Sequence, residues 1–86
     1  MDELKQLREE IDQIDEELLT LFLQRIEVVK KIGQYKKVNK LPIIDLVREQ
    51  AVLTNKKIKL NDPKIWPLYE RFITLLMTIA KEVQSD

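Results

Sequence analysis

The chain has no cysteine and no histidine in its 86 residues. Without cysteine there is no disulfide framework and no thiolate chemistry. Without histidine, serine–histidine and cysteine–histidine nucleophiles are excluded, and so are the common zinc arrangements. One glycine and three prolines leave nothing to build a glycine-rich phosphate loop or a low-complexity linker. Net charge is also missing: fifteen basic residues balance fifteen acidic ones. A nucleic-acid binder normally shows a basic excess or stripe, so that class is not expected. No apolar run approaches membrane-spanning length, and the first residues are acidic where a signal peptide is basic. The expectation is a soluble, cytoplasmic protein with no membrane partner. At this length residues 1–86 make one domain, and a marginal one if it stands alone.

What is present is helical pattern. From Asp2 to about Asn39 no proline intervenes, and Leu4, Leu7, Ile11, Ile14, Leu18 and Leu21 step by three and four. The next apolar step falls on Arg25, and the stripe resumes at Val28 and Ile32. Acidic residues crowd the first half of this run and lysines its end, which suits the helix dipole. Gly33 is its weak point, costing about 1 kcal/mol against alanine. It is either a tolerated glycine or the mark of another helix approaching closely. Pro42 stops the run. Asp45 is the predicted N-cap of a second helix reaching about Lys59, with Leu46, Glu49 and Leu53 on one side. Asp62-Pro63 predicts the start of a third helix reaching about Gln84, although Pro67 then either kinks its first turn or marks the true start. Ile65, Tyr69, Phe72, Leu76, Ile79 and Val83 share one face of it, with Ile73, Met77, Ala80 and Gln84 alongside.

The predicted fold class is therefore all-α, three helices with a very long first one. Roughly 38 residues at about 1.5 Å each span roughly 57 Å. A compact domain of this size is roughly 30 Å across. The first helix would project from a monomer with its apolar stripe in water. An intertwined homodimer, most simply two-fold symmetric, is the expected solution.

Arg25 in the packing stripe is the leading candidate for chemistry. Arg8 lies one position off the stripe, Lys36 is three turns beyond Arg25 on the same side, Arg48 and Glu49 open the second helix, and Gln84 ends the third. Each has a plainer explanation: a snorkelling or ion-paired Arg25, a surface Arg8–Asp12 pair, solvated charges at Lys36, Arg48 and Glu49, a frayed end at Gln84. Taken together, cations and a glutamine facing a helical interior make a pocket for a small polyanion, above all a dicarboxylate. Such a pocket has little equipment for acid–base or covalent work. A reaction there would need only conformational selection and charge stabilisation.

Three segments carry a resemblance. They are Leu7-Arg8-Glu9-Glu10-Ile11-Asp12-Gln13-Ile14-Asp15, then Arg25 through Ile32-Gly33-Gln34-Tyr35-Lys36, then Leu41-Pro42-Ile43-Ile44-Asp45-Leu46-Val47-Arg48-Glu49. In order and spacing the chain resembles the all-helical chorismate mutases of the AroQ class along essentially its whole length. That resemblance implies an intertwined homodimer of three-helix chains with two identical sites. It implies conversion of chorismate to prephenate by a Claisen rearrangement, on the way to phenylalanine and tyrosine, with no cofactor and no metal.

By position, the resemblance implies that Arg8 reaches into the partner's site to hold a carboxylate, and that Arg25 binds a carboxylate in its own subunit. Lys36 corresponds to the lysine on a carboxylate and the ether oxygen. Glu49 accepts from the ring hydroxyl, with Asp45 and Arg48 supporting the start of the second helix. Gln84 falls where a Gln or Glu meets the ether oxygen; a glutamine donates without being protonated, so activity is expected to persist through neutral pH. Ala80 is a departure, because some members have a serine there that touches a carboxylate. Gln84 is only two residues from the end, where helices fray. No attached dehydratase, dehydrogenase or synthase domain is expected. Two alternatives accompany this reading: isochorismate-pyruvate lyase on the same fold, and a helical dimerisation or regulatory module without activity of its own or dependent on a partner synthase.

Overall fold

The computed structural model describes residues 2–86. Three helices account for nearly all of them: α1 (Glu3–Val38), α2 (Leu46–Leu60) and α3 (Trp66–Gln84), with no strand among the described residues. The class is all-α, as the three-four spacing predicts.

Each helix end has a local cause. Asp2 caps α1, its carboxylate accepting from Leu4 N at 3.1 Å. The other end of α1 closes before Pro42 acts. Lys40 is left-handed (φ 57°), Leu41 N donates back to Lys36 O at 2.8 Å and Lys40 N to Lys37 O at 3.3 Å. This is the paired closure usually made with glycine, here made with lysine at a cost of roughly 1 kcal/mol. Asp45 caps α2 as expected, accepting from Arg48 N at 2.9 Å. Asn61 ends α2 in the left-handed region, which asparagine tolerates.

Of the two starts open for α3, the structure takes the one beside Pro67 and not the one at Asp62-Pro63. Pro67 has no N–H to give to the carbonyl of Pro63, so a regular helix cannot begin there. Asp62 instead closes a separate turn. Its Oδ1 accepts from Lys64 N and Ile65 N at 3.0 and 3.2 Å, and its carbonyl from Trp66 N at 2.9 Å. The helix proper starts at Trp66, with Pro67 in its first turn, where the missing donor costs nothing.

Helix α3 is the element on which α1 and α2 both pack. The buried residues are Val29 of α1 with Trp66 and Ile73 of α3. Trp66, Tyr69 and Phe72 form a ladder of tilted rings 6.3 and 5.9 Å apart. Along α1 the face turned to α3 is Arg25, Ile26, Val29, Gly33 and Lys36, all at least half-buried. It lies one residue beside the regular stripe, whose Val28 and Ile32 stay exposed. The molecule measures 59 × 28 × 16 Å, and its long dimension is α1. The first half of α1 runs clear of the other helices, with Leu4, Leu7, Ile11, Ile14, Leu18 and Leu21 exposed by 46–59%. No described helix is long and apolar enough to cross a membrane.

Candidate active site

A cavity of about 250 Å³ opens where the end of α1, the start of α2 and the end of α3 meet. Arg25, Lys36, Asp45, Arg48, Glu49 and Gln84 all line it. Six of the seven residues singled out in the sequence are thus brought together from three helices. Val29, Ile32, Ile43, Val52 and Met77 supply apolar wall between them. The volume is at the small end for a ligand site and suits a compact metabolite.

The polar geometry centres on Lys36. Its ammonium donates to Ile43 O and to Gln84 Oε1, both at 2.9 Å. An ammonium has three protons, so one remains for a ligand. Gln84 spends its carbonyl on Lys36, which leaves its NH₂ to donate. The carbonyl of Ile43 comes from the loop after α1, so the α1–α2 connection holds Lys36 in place. Arg25 is half-buried and donates from one guanidinium nitrogen to Leu76 O of α3 at 3.2 Å. That bond fixes the guanidinium plane and leaves its remaining N–H groups free. Arg48 stands exposed at the rim, its backbone N–H tied to Asp45.

Gly33 explains how Gln84 reaches Lys36. A Cβ at Gly33 would lie 3.1 Å from the Cα of Gln84, 3.2 Å from its Cγ and 3.3 Å from its Cβ. Of the two explanations open for this glycine, close helix approach is the one that holds. One turn further along α1, Lys36 meets the same residue. Gln84 is not frayed. It is half-buried as the last residue of α3, and the turn behind it is closed by Ser85, whose N and Oγ donate to Lys81 O at 3.1 and 2.8 Å.

Lys81 is the wall residue that sequence reasoning missed. Its ammonium lies 3.1 Å from Glu49 Oε2, joining α3 to α2 across the cavity mouth. Its spacing of three from Gln84 was the available signal, since such residues share a helix face. Four cations (Arg25, Lys36, Arg48, Lys81) and two carboxylates (Asp45, Glu49) therefore border the space. That excess of positive charge favours a dianionic ligand.

Arg8 is not part of this cluster. It is exposed on the free half of α1. Seventeen residues of helix separate it from Arg25, roughly 26 Å along the axis.

A family profile described as chorismate mutase type II matches residues 7–85. The chain is 34% identical to a bifunctional chorismate mutase/prephenate dehydratase of Aquifex aeolicus, a match covering 98% of this chain and 25% of that protein. It is 42% identical to a T-protein of Haemophilus influenzae, over 69% of this chain and 16% of the relative. A T-protein of Enterobacter agglomerans is 38% identical over 64% of this chain and 15% of its own length. The chain thus spans a quarter or less of these curated relatives. No solved structure matches it.

Proposed function

The chain belongs to the type II chorismate mutase family, and from that premise we propose that it isomerises chorismate to prephenate, in the cytoplasm, for phenylalanine and tyrosine synthesis. One observation carries the proposal. Lys36, locked between Ile43 O and Gln84 Oε1, retains one ammonium proton beside the free NH₂ of Gln84, in a cavity that also holds Arg25 and Arg48.

The reaction is an internal rearrangement: the ether C–O bond breaks while a C–C bond forms, and no group is exchanged with solvent. Catalysis then needs two things of these residues. Arg25 and Arg48, beside the positive charge of Lys36, hold the two carboxylates so that the flexible ether folds into its compact, chair-like reactive form. As the C–O bond stretches, negative charge builds on the ether oxygen, where the last proton of Lys36 and the Gln84 NH₂ donate to it. Donors already fixed in a partly dry site stabilise that charge without reorganising. Interactions stronger there than in the ground state lower the barrier. Glu49 accepts from the ring hydroxyl. Asp45 keeps α2 aligned by capping it.

The working form in this proposal is an intertwined homodimer in which Arg8 of one chain completes the other's cavity. Two observations support it. The stripe from Leu4 to Leu21 has no cover within the chain, and burying it on both chains is worth on the order of 10 kcal/mol before association costs. Arg8, far from its own cavity, lies on the same free half of α1.

Incubating the purified protein with chorismate and, separately, with isochorismate tests the assignment. Prephenate from the first and no pyruvate from the second is the expected result. Pyruvate release from isochorismate would reassign the cavity to a lyase, and no turnover of either by an intact dimer would refute an enzymatic role. Mixing inactive Arg8→Ala and Lys36→Ala chains should restore about one working site per mixed dimer. If no activity returns although mixed dimers form, Arg8 does not act across the interface.

A further inference from the structure

We propose that Lys81 is a positioning residue for Glu49 and thereby sets the preference of the cavity for a hydroxyl-bearing dicarboxylate. The proposal rests on the reading that a dicarboxylate occupies this cavity. It concerns a residue that the recognised site residues leave out.

Glu49 is in an awkward place for a carboxylate. Its side chain is 25% exposed and borders a cavity that Arg25, Lys36 and Arg48 also line. Left free to rotate, it would turn to one of those cations and neutralise it, acting as an internal competitor for the carboxylates of the ligand. Lys81 prevents this. It sits on α3, three residues before Gln84, 33% exposed, with Nζ 3.1 Å from Glu49 Oε2. The pair is partly shielded from water and spans two helices, so solvent ions screen it less than a fully exposed surface pair. Lys81 contacts Oε2; in this proposal the other oxygen, Oε1, accepts from a donor inside the cavity that Glu49 lines. A ligand hydroxyl is the matching donor. A ligand without it would bury Oε1 unpaired, and that penalty is the source of discrimination. Lys81 therefore does two things through one contact: it keeps the anion-binding cations free, and it holds an acceptor at a constant position.

The test is calorimetric binding of two oxabicyclic dicarboxylates that differ only in one ring hydroxyl. It is run on the wild-type protein and on Lys81→Met, Lys81→Arg, Glu49→Gln and the Lys81→Met/Glu49→Gln double variant, with thermal melts to confirm folding. The wild type should bind the hydroxylated compound about tenfold more tightly. Lys81→Met should bring the ratio to within about twofold of unity, and Lys81→Arg should restore it. In the Glu49→Gln background Lys81→Met should change nothing further. A ratio unchanged in folded Lys81→Met, or an equal loss with and without Glu49, overturns the proposal, as does a wild type that ignores the hydroxyl. These outcomes do not depend on turnover, so failure to convert chorismate would remove the catalytic assignment alone.

Discussion

The two halves of α1 use different faces for different ends. From Leu4 to Leu21 every third or fourth residue is apolar and exposed, and no other helix of the chain lies against it. From Arg25 to Lys36 the face that α3 covers lies one residue beside that repeat and carries Arg25, Gly33 and Lys36 with Ile26 and Val29, while Val28 and Ile32 of the repeat stay exposed. The free half can be buried only by something outside the chain. The covered half gives up apolar packing for charge and close approach, and gains a cavity. A single continuous helix keeps the two in fixed relation, so the geometry of assembly and the geometry of the site cannot vary independently.

The largest effect should come from the covered half. Lys36→Ala removes the partner of Gln84 and, in the proposed mechanism, a donor to the reacting oxygen; it should lower kcat about 10²–10³-fold in a chorismate assay while the mass in solution stays that of the wild type. If kcat is retained, the covered half is not the catalytic one.

The free half is probed with Ile14→Asp, which sets a carboxylate in the middle of the uncovered stripe. Burying that charge against a second copy costs several kcal/mol. On the proposed homodimer, sedimentation at micromolar concentration should then report a monomer, and activity should fall with it, because the proposed contribution of Arg8 from the partner is lost. A dimer that survives Ile14→Asp would show that the stripe is covered by something else.

Gly33→Val sharpens the contrast within the covered half. A branched side chain cannot fit where a bare Cβ already comes within 3.1 Å of Gln84. The clash falls on the last turn of α3 only, so the helix content measured by circular dichroism should hold. Displacing Gln84 by a fraction of an ångström to about 1 Å should cost kcat about 10- to 100-fold. The smallest effect is expected where α1 ends. Lys40→Gly relieves the left-handed lysine and should stabilise the chain by about 0.5–1 kcal/mol in urea unfolding, with activity unchanged.

Much of this was legible in the residues. Arg25 stood out because it broke an otherwise regular stripe, and Asp45 because a capping residue follows a proline and precedes an apolar run. Lys36, Glu49 and Gln84 were candidates by helical position, but read alone they look like solvated surface, and their individual roles came from the resemblance. What the residues left open depended on details of backbone closure. The start of α3 falls at Trp66 rather than Asp62-Pro63 because Pro67 lacks one hydrogen, and the end of α1 near Asn39 is closed by Lys40 in a conformation that its side chain does not advertise. Lys81 was passed over because a lysine near a chain end reads as solvated until a carboxylate on another helix is seen 3.1 Å away.

The sequence by itself determined the helices, their approximate ends and the apolar stripe that α1 leaves uncovered within the chain. These follow from periodicity, propensity and composition, which act over a few residues at a time. Only the tertiary structure decided which face of α1 meets α3, that Gly33 is a point of contact rather than a tolerated defect, and that Lys81 and Glu49 are a pair. Those outcomes depend on how helices distant in sequence cross, and a crossing is set by the shapes of both surfaces together.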